Sequence, residues 1–307
     1  MCFTQSFWQL TISGLALGSV YALIALGYTL VYGVLQLINF AHSEVFMLGG
    51  FGGLFLVRGF GVDDPHGITS VLLVGGGMIA GALLGAATAF TLERVAYRPL
   101  RRRGAPRLAF LISAIGASFF LLNLAGKEFG RFNNPMPPLY TSGKVFSVFS
   151  AQVTTNQLVV AASAVVMLIA LDRIIAKTRL GMGIRSVAQD AEAASLMGVD
   201  IDKVITRTFV LGGLLGGAAG FLFGIQFGVQ YNMGFSAGTK AFTAAVLGGI
   251  GNVRGAVMGG LVLGVAENLG VACVSSAWRD VIAFLILVLV LMLRPTGILG
   301  ERLGRSA

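Results

Sequence analysis

The sequence predicts an all-α polytopic membrane protein: one membrane domain over residues 1–307, with seven or eight hydrophobic helical segments. Three observations predict it. Hydrophobic residues make up 56% of the chain and charged residues only 11%, more apolar surface than a soluble domain of 307 residues can cover. Apolar stretches long enough to cross a core about 30 Å thick recur along the whole chain. The arginines gather in the gaps between them. The formal net charge of +9 therefore reads as a topology signal and not as a nucleic-acid surface, which would line its cations along one exposed face.

The first apolar stretch, residues 10–37, has no positively charged leader before it and no clear small-residue cleavage site, so a retained helix is expected. Stretches 44–60 and 68–92 follow. The link from Glu93 to Arg107 carries Arg94, Arg98, Arg101, Arg102, Arg103 and Arg107 against a single acid, which places it on the cytoplasmic side. Stretches 108–125 and 155–176 then leave that side and return to it at Lys177, Arg179 and Arg185. Between them lies an outer loop, 127–154, whose Pro135, Pro137 and Pro138 suggest an irregular lid.

Stretches 204–231, 240–267 and 279–293 complete the chain. The tail carries Arg294, Arg302 and Arg305, so the C-terminus is expected to be cytoplasmic. Three full crossings between Arg207 and Arg294 would break that parity. The run Gly248-Gly249-Ile250-Gly251-Asn252-Val253-Arg254-Gly255 interrupts the middle of 240–267, as a re-entrant pair of half-helices requires. Cys2 and Cys273 are far apart in sequence and in apolar company, and are read as unpaired.

Glycine occurs 44 times, about twice its ordinary usage of roughly 7%. Gly212, Gly216, Gly220, Gly224 and Gly228 recur every fourth residue, as do Gly77, Gly81 and Gly85, and Gly251, Gly255 and Gly259. Small residues at that spacing let a neighbouring backbone approach closely and suit them to helix packing.

The polar segment 177–206 has its own grammar. Asp190 can cap a helix start, Glu192 favours the positive end of its dipole, and Gly198 supplies a left-handed stop. Asp200 offers a second cap before the chain turns apolar again. A short helix wedged between two membrane helices follows, placed to dock onto another protein.

Asn39, His42, Ser43 and Glu44 interrupt two very apolar segments. They either line a translocation path or form a solvated loop between the first two helices. Gln226 and Gln230, with Tyr231 and Asn232, offer hydrogen bonds at the outer end of the glycine-striped helix, as path residues or as ordinary interfacial ones. Glu267 and Asn268 read as interfacial anchors or caps. With His42 and His66 the only histidines, no zinc or thiol-catalytic constellation forms, and neither Gly-x-Ser-x-Gly nor a Walker-type loop is present. No catalytic residue, metal or cofactor is expected on this chain, and nucleotide-driven work must come from another polypeptide.

Five motifs in order resemble those of the membrane permease of bacterial branched-chain amino acid ABC transporters. They are Gly14-Leu-Ala-Leu-Gly-Ser-Val-Tyr-Ala-Leu-Ile-Ala-Leu-Gly-Tyr28 leading into Ile38-Asn-Phe-Ala-His-Ser-Glu44, then Ile184-Arg-Ser-Val-Ala-Gln-Asp190, Ala241-Phe-Thr-Ala-Ala-Val-Leu-Gly-Gly-Ile-Gly251 and Arg294-Pro-Thr-Gly-Ile-Leu-Gly300. Importer permeases of this kind carry Glu-Ala-Ala, three residues, Gly, which Glu192, Ala193, Ala194 and Gly198 match. Many importers add a proline further on, where this chain has Thr208-Phe-Val-Leu211.

The resemblance implies a multi-pass protein of the bacterial inner membrane. It would work with two ATPase subunits that carry the ATP, a second homologous permease and a periplasmic solute-binding protein delivering leucine, isoleucine or valine. In that setting Arg185, Asp190, Glu192, Ala193, Ala194 and Gly198 would couple to the ATPase. Similar permeases handle urea, short amides or other amino acids. A secondary transporter or channel using His42 and Glu44 as a proton relay is the alternative of a different class.

Overall fold

The computed structural model describes residues 7–61, 65–140, 143–148, 151–294 and 296–300. Cys2, Arg302 and Arg305, and the side chain of Cys273, lie outside them. Apolar sequence with no water to satisfy its backbone has to bond internally, and the chain does so almost wholly as helix. In order these are α1 (Phe7–Leu35), α2 (His42–Phe60), α3 (Ile68–Leu92), α4 (Arg98–Arg102), α5 (Arg107–Glu128), α6 (Thr155–Lys177), α7 (Arg179–Gln189), α8 (Ala191–Leu196), α9 (Ile201–Phe227), α10 (Met233–Gly248), α11 (Val253–Cys273) and α12 (Arg279–Leu293). Among the described residues, seven helices are long and apolar enough to cross a membrane; α10 and α12, at 16 and 15 residues, are shorter.

The bundle has two chemically distinct ends. At one, Gln9 on α1 bonds Gln152, Arg58 at the end of α2 reaches Asn134 and Pro135, and Val229 bridges Asn134. This lid end is not wholly irregular: β1 (Lys144–Val148) and β2 (Ala151–Thr154) pair antiparallel. The alternating, β-branched run Lys144-Val-Phe-Ser-Val148 favours that pairing over the loop that the prolines suggest. The opposite, basic end carries the arginine link. It is shorter than expected, because a π-turn over Glu93–Tyr97 continues α3 into α4 and leaves only residues 103–106 outside helix.

The helices α1 and α9 form the centre, while α5 and α6 expose Ile112, Phe119, Phe120, Val166 and Ile169 on the periphery. Glycine sets the distances between the central helices. A Cβ on Gly220 would strike the Phe46 carbonyl, and one on Gly217 would strike Gly81. Gly213 lies against Gly85 and Ala89, so the closest approach to α3 uses the neighbours of the expected stripe. Gly228 is not on that helix: it ends α9 with φ +79, and Asn133 occupies the space of a Cβ. Likewise Gly251, with φ +97, belongs to a turn and not to the stripe of α11.

The segment expected as re-entrant over 240–267 is a hairpin with other bounds. Its arms are α10 and α11, and Gly249 at φ +104 and Gly251 form the break. Asn252 caps the second arm by accepting from the Arg254 and Gly255 amides at 3.0 and 3.1 Å. The hairpin starts and finishes at the lid end, since α11 runs antiparallel along α1 with Gly264 against Gly14 and Gly260 against Gly18. Its apex meets the tail after α12, where the Ile298 and Leu299 amides donate to Leu247 and Gly248 at 2.8 and 3.1 Å. With 21 residues α11 is about 31 Å long, a full crossing and not a half-helix.

Candidate functional site

Asn39, His42, Ser43 and Glu44 lie inside the bundle, with Glu44 0% exposed, so the solvated-loop reading is wrong. After α1 the chain folds back, and α2 starts level with Gly27, about two turns before α1 ends. The His42 ring stands edge-on to Tyr28 with centroids 4.9 Å apart, and glycines at 27 and 216 make room for it. Ser43 Oγ donates to the Phe40 carbonyl at 2.7 Å and reaches Glu44 Oε1 at 3.3 Å; Ser118 Oγ donates to the same oxygen at 3.2 Å. Tyr97 OH donates to Asn39 Oδ1 at 2.6 Å, tying this turn to the π-turn of the basic end. His42 Nε2 and Glu44 Oε2 have no hydrogen-bond partner among the described residues. Buried ionisable groups left short of partners inside a membrane bundle are expensive, which makes this cluster a candidate functional site.

Gln226 and Gln230 are not part of this group. Both sit at the lid end: Gln226 Oε1 is buried without a partner among the described residues, and Gln230 lines a cavity of about 230 Å³. Helix α10 stands between the two sites. Its Gly234 and Gly238 close over Ser43 and Glu44, while its Met233, Ser236, Ala237 and Lys240 face the cavity.

At the basic end the polar insert is two helices over 178–200, shorter than 177–206 because α9 already begins at Ile201. Asp190 Oδ1 accepts from the Glu192 and Ala193 amides at 2.9 Å each, and Gly198 stops α8 with φ +85. Asp200 accepts from the Lys203 ammonium at 2.9 Å and its amide at 3.0 Å, which holds the carboxyl below its ordinary range. Glu192 and Ala193 face outward, and Leu196 and Met197 beyond them are 84% and 85% exposed. Ala194 is turned inward, packed in the core. Arg185 belongs to α7, where its Nη1 donates to the Ile175 carbonyl at 2.6 Å and closes the end of α6.

Residues 10–291 match the family described as branched-chain amino acid transport system, permease component. The chain belongs to that family. It is 44% identical over 302 residues to the high-affinity branched-chain amino acid transport system permease protein LivH of Salmonella typhimurium, covering 96% of each chain. It is 41% identical to the corresponding permease protein BraD of Pseudomonas aeruginosa, again over 96% of each. At greater distance, a probable branched-chain amino acid transport permease protein LivH of Methanocaldococcus jannaschii is 27% identical over 92% of this chain and 89% of that one.

Sequence reasoning passed over two charge clusters of this permease. Glu267 is 0% exposed and not an interfacial anchor: it accepts from Lys240 Nζ at 3.0 Å, with Arg279 Nε at 3.5 Å, and Lys240 also meets Asp280 at 2.7 Å. Asn268 bonds back to the Gly264 carbonyl of its own helix. The signal was a lone lysine in an apolar helix, which demands a carboxylate nearby. The second is Glu93, 0% exposed, which holds Arg98 and Arg101 at 3.2 and 3.1 Å; Arg101 also meets Asp202 at 2.6 Å, and Arg98 donates to Thr206 at 2.6 Å. These arginines clamp the π-turn to α9, besides marking a membrane side.

Proposed function

We propose that this permease forms part of the translocation path of a bacterial inner-membrane ABC importer, with its C-terminus in the cytoplasm, and that α8 is its lever. The supporting observation is the construction of α8: a six-residue helix capped at Asp190 and stopped at Gly198, with Leu196 and Met197 projecting from it. An apolar tip on a capped stub at the basic end suits insertion into a cleft of an ATPase subunit. Through Val199 and the Asp200 cap the stub runs directly into α9, the central helix, so a push on it reaches the core. Glu192 and Ala193 meet the motor, Ala194 anchors the turn, and Arg185 fixes the angle of α7.

Two ATPase subunits bind and hydrolyse the ATP, and a second homologous permease completes the path. A periplasmic binding protein delivers the cargo at the lid end. The cargo is a branched-chain amino acid (leucine, isoleucine or valine), as the names of the relatives support. It passes Gln226 and Gln230 first and then Asn39, His42, Ser43 and Glu44, whose unsatisfied atoms are answered as α10 moves between the two groups. No residue of the chain performs covalent chemistry. The reading is tested with Glu192→Lys and Gly198→Val in the assembled transporter. Both are expected to insert normally, yet leave ATP hydrolysis no longer coupled to leucine uptake. Normal uptake by Gly198→Val would refute the lever.

A further inference from the structure

The cavity at the lid end has a chemistry of its own. Its apolar lining includes Leu17 of α1 and Phe223 and Phe227 of α9. Its polar lining includes Gln230, Ser236, Lys240 and Arg279. At about 230 Å³ it falls below the roughly 300–1,000 Å³ of pockets for larger ligands and admits only a small solute.

The charges around it are arranged asymmetrically. Lys240 and Arg279 line the space, whereas Glu267 and Asp280, which hold them, stand outside the lining. The cluster carries two cations and two anions, so it is neutral as a whole and positive toward the cavity. Lys240 is 7% exposed, and its ammonium has three donors, of which the two carboxylates occupy two. Arg279 spends its Nε on Glu267, which leaves its terminal nitrogens for a ligand. In the same lining, the Gln230 and Ser236 side-chain oxygens are acceptors suited to an ammonium group. A buried, prepaid lysine whose remaining donor faces a half-apolar cavity is wasteful as a mere strut, because an apolar pair of the same volume would pack as well.

We propose that this cavity is a receiving site for a free α-amino acid with an apolar side chain, its carboxylate held by Lys240 and Arg279 and its side chain against Phe223 and Phe227. The inference rests on the amino acid permease reading and adds to it the site, the polarity and the ligand groups recognised. It requires a free carboxylate. Urea and short amides, which lack one, offer the two cations a neutral carbonyl oxygen and no balancing charge.

The test uses the whole transporter in vesicles, with its ATPase and binding-protein partners, irradiated with the diazirine analogue of leucine. Label is expected on the peptide spanning 223–240, suppressed by excess leucine and not by leucine methyl ester, which lacks the carboxylate anion. Arg279→Gln is expected to raise the KM for leucine uptake about tenfold or more, the loss of a charge-assisted hydrogen bond. Ser236→Leu, at an exposed position that tolerates a larger side chain, should cut labelling while leaving the melting temperature unchanged. Label confined elsewhere, or suppressed equally by the ester, overturns the site while leaving wild-type leucine uptake intact. Absence of leucine uptake by the wild type would overturn the cargo reading itself, and this inference with it.

Discussion

At the residue scale the molecule is governed by a few positions where no other side chain serves. Gly220 is one, since the Phe46 carbonyl occupies the place of its Cβ. Gly220→Leu is expected to lower the unfolding midpoint in detergent, at a cost of about 3 kcal/mol or more, because both neighbours are backbone and cannot yield. An unchanged midpoint would contradict the packing described. Asn39→Leu strands the Tyr97 hydroxyl in the core, at about 1–3 kcal/mol, and should impair uptake in step with that loss. Glu44→Ala should leave the fold standing and reduce uptake; normal uptake with Glu44→Ala would take this cluster out of the path. The sequence marked Asn39 to Glu44 as anomalous through polarity alone. It could not show that they are buried, because the fold-back of residues 36–41 depends on Gly27, Gly216, Gly234 and Gly238 on three other helices.

At the element scale, caps and interruptions were legible and partners were not. Asp190, Gly198, Asp200 and the glycines of the α10–α11 hairpin each act locally, so their residue types announced the elements they bound. The length of α11 was not visible, because it is set by packing along α1 through Gly260 and Gly264. Nor was the π-turn at Glu93, whose carboxylate meets two arginines. Glu93→Ala leaves those cations without their buried counter-ion and is expected to destabilise the protein by about 3 kcal/mol. The loss would be read as a lower thermal midpoint in detergent, and a shift of less than a degree or so would show the clamp to be idle.

At the scale of the whole molecule, helices α1, α2, α3, α9, α10 and α11 pack through glycines between a lid and a basic end, with the insert at one end and the charged cavity at the other. This polarity was the most legible feature of the sequence, since arginine placement alone set it. It predicts that, with Cys2 and Cys273 replaced by serine, Phe132→Cys is labelled by an impermeant maleimide in spheroplasts and Arg103→Cys only after lysis. The opposite pattern would invert the topology. The central claim, that α8 is a lever held by a separate motor, is tested most directly by placing p-benzoylphenylalanine at Leu196 and irradiating membranes that contain the assembled transporter. A covalent adduct with the ATPase subunit, lost when that subunit is omitted, is the expected result. Efficient crosslinking to lipid or to this chain alone, with no hydrolase in the adduct while the complex remains assembled, would contradict it.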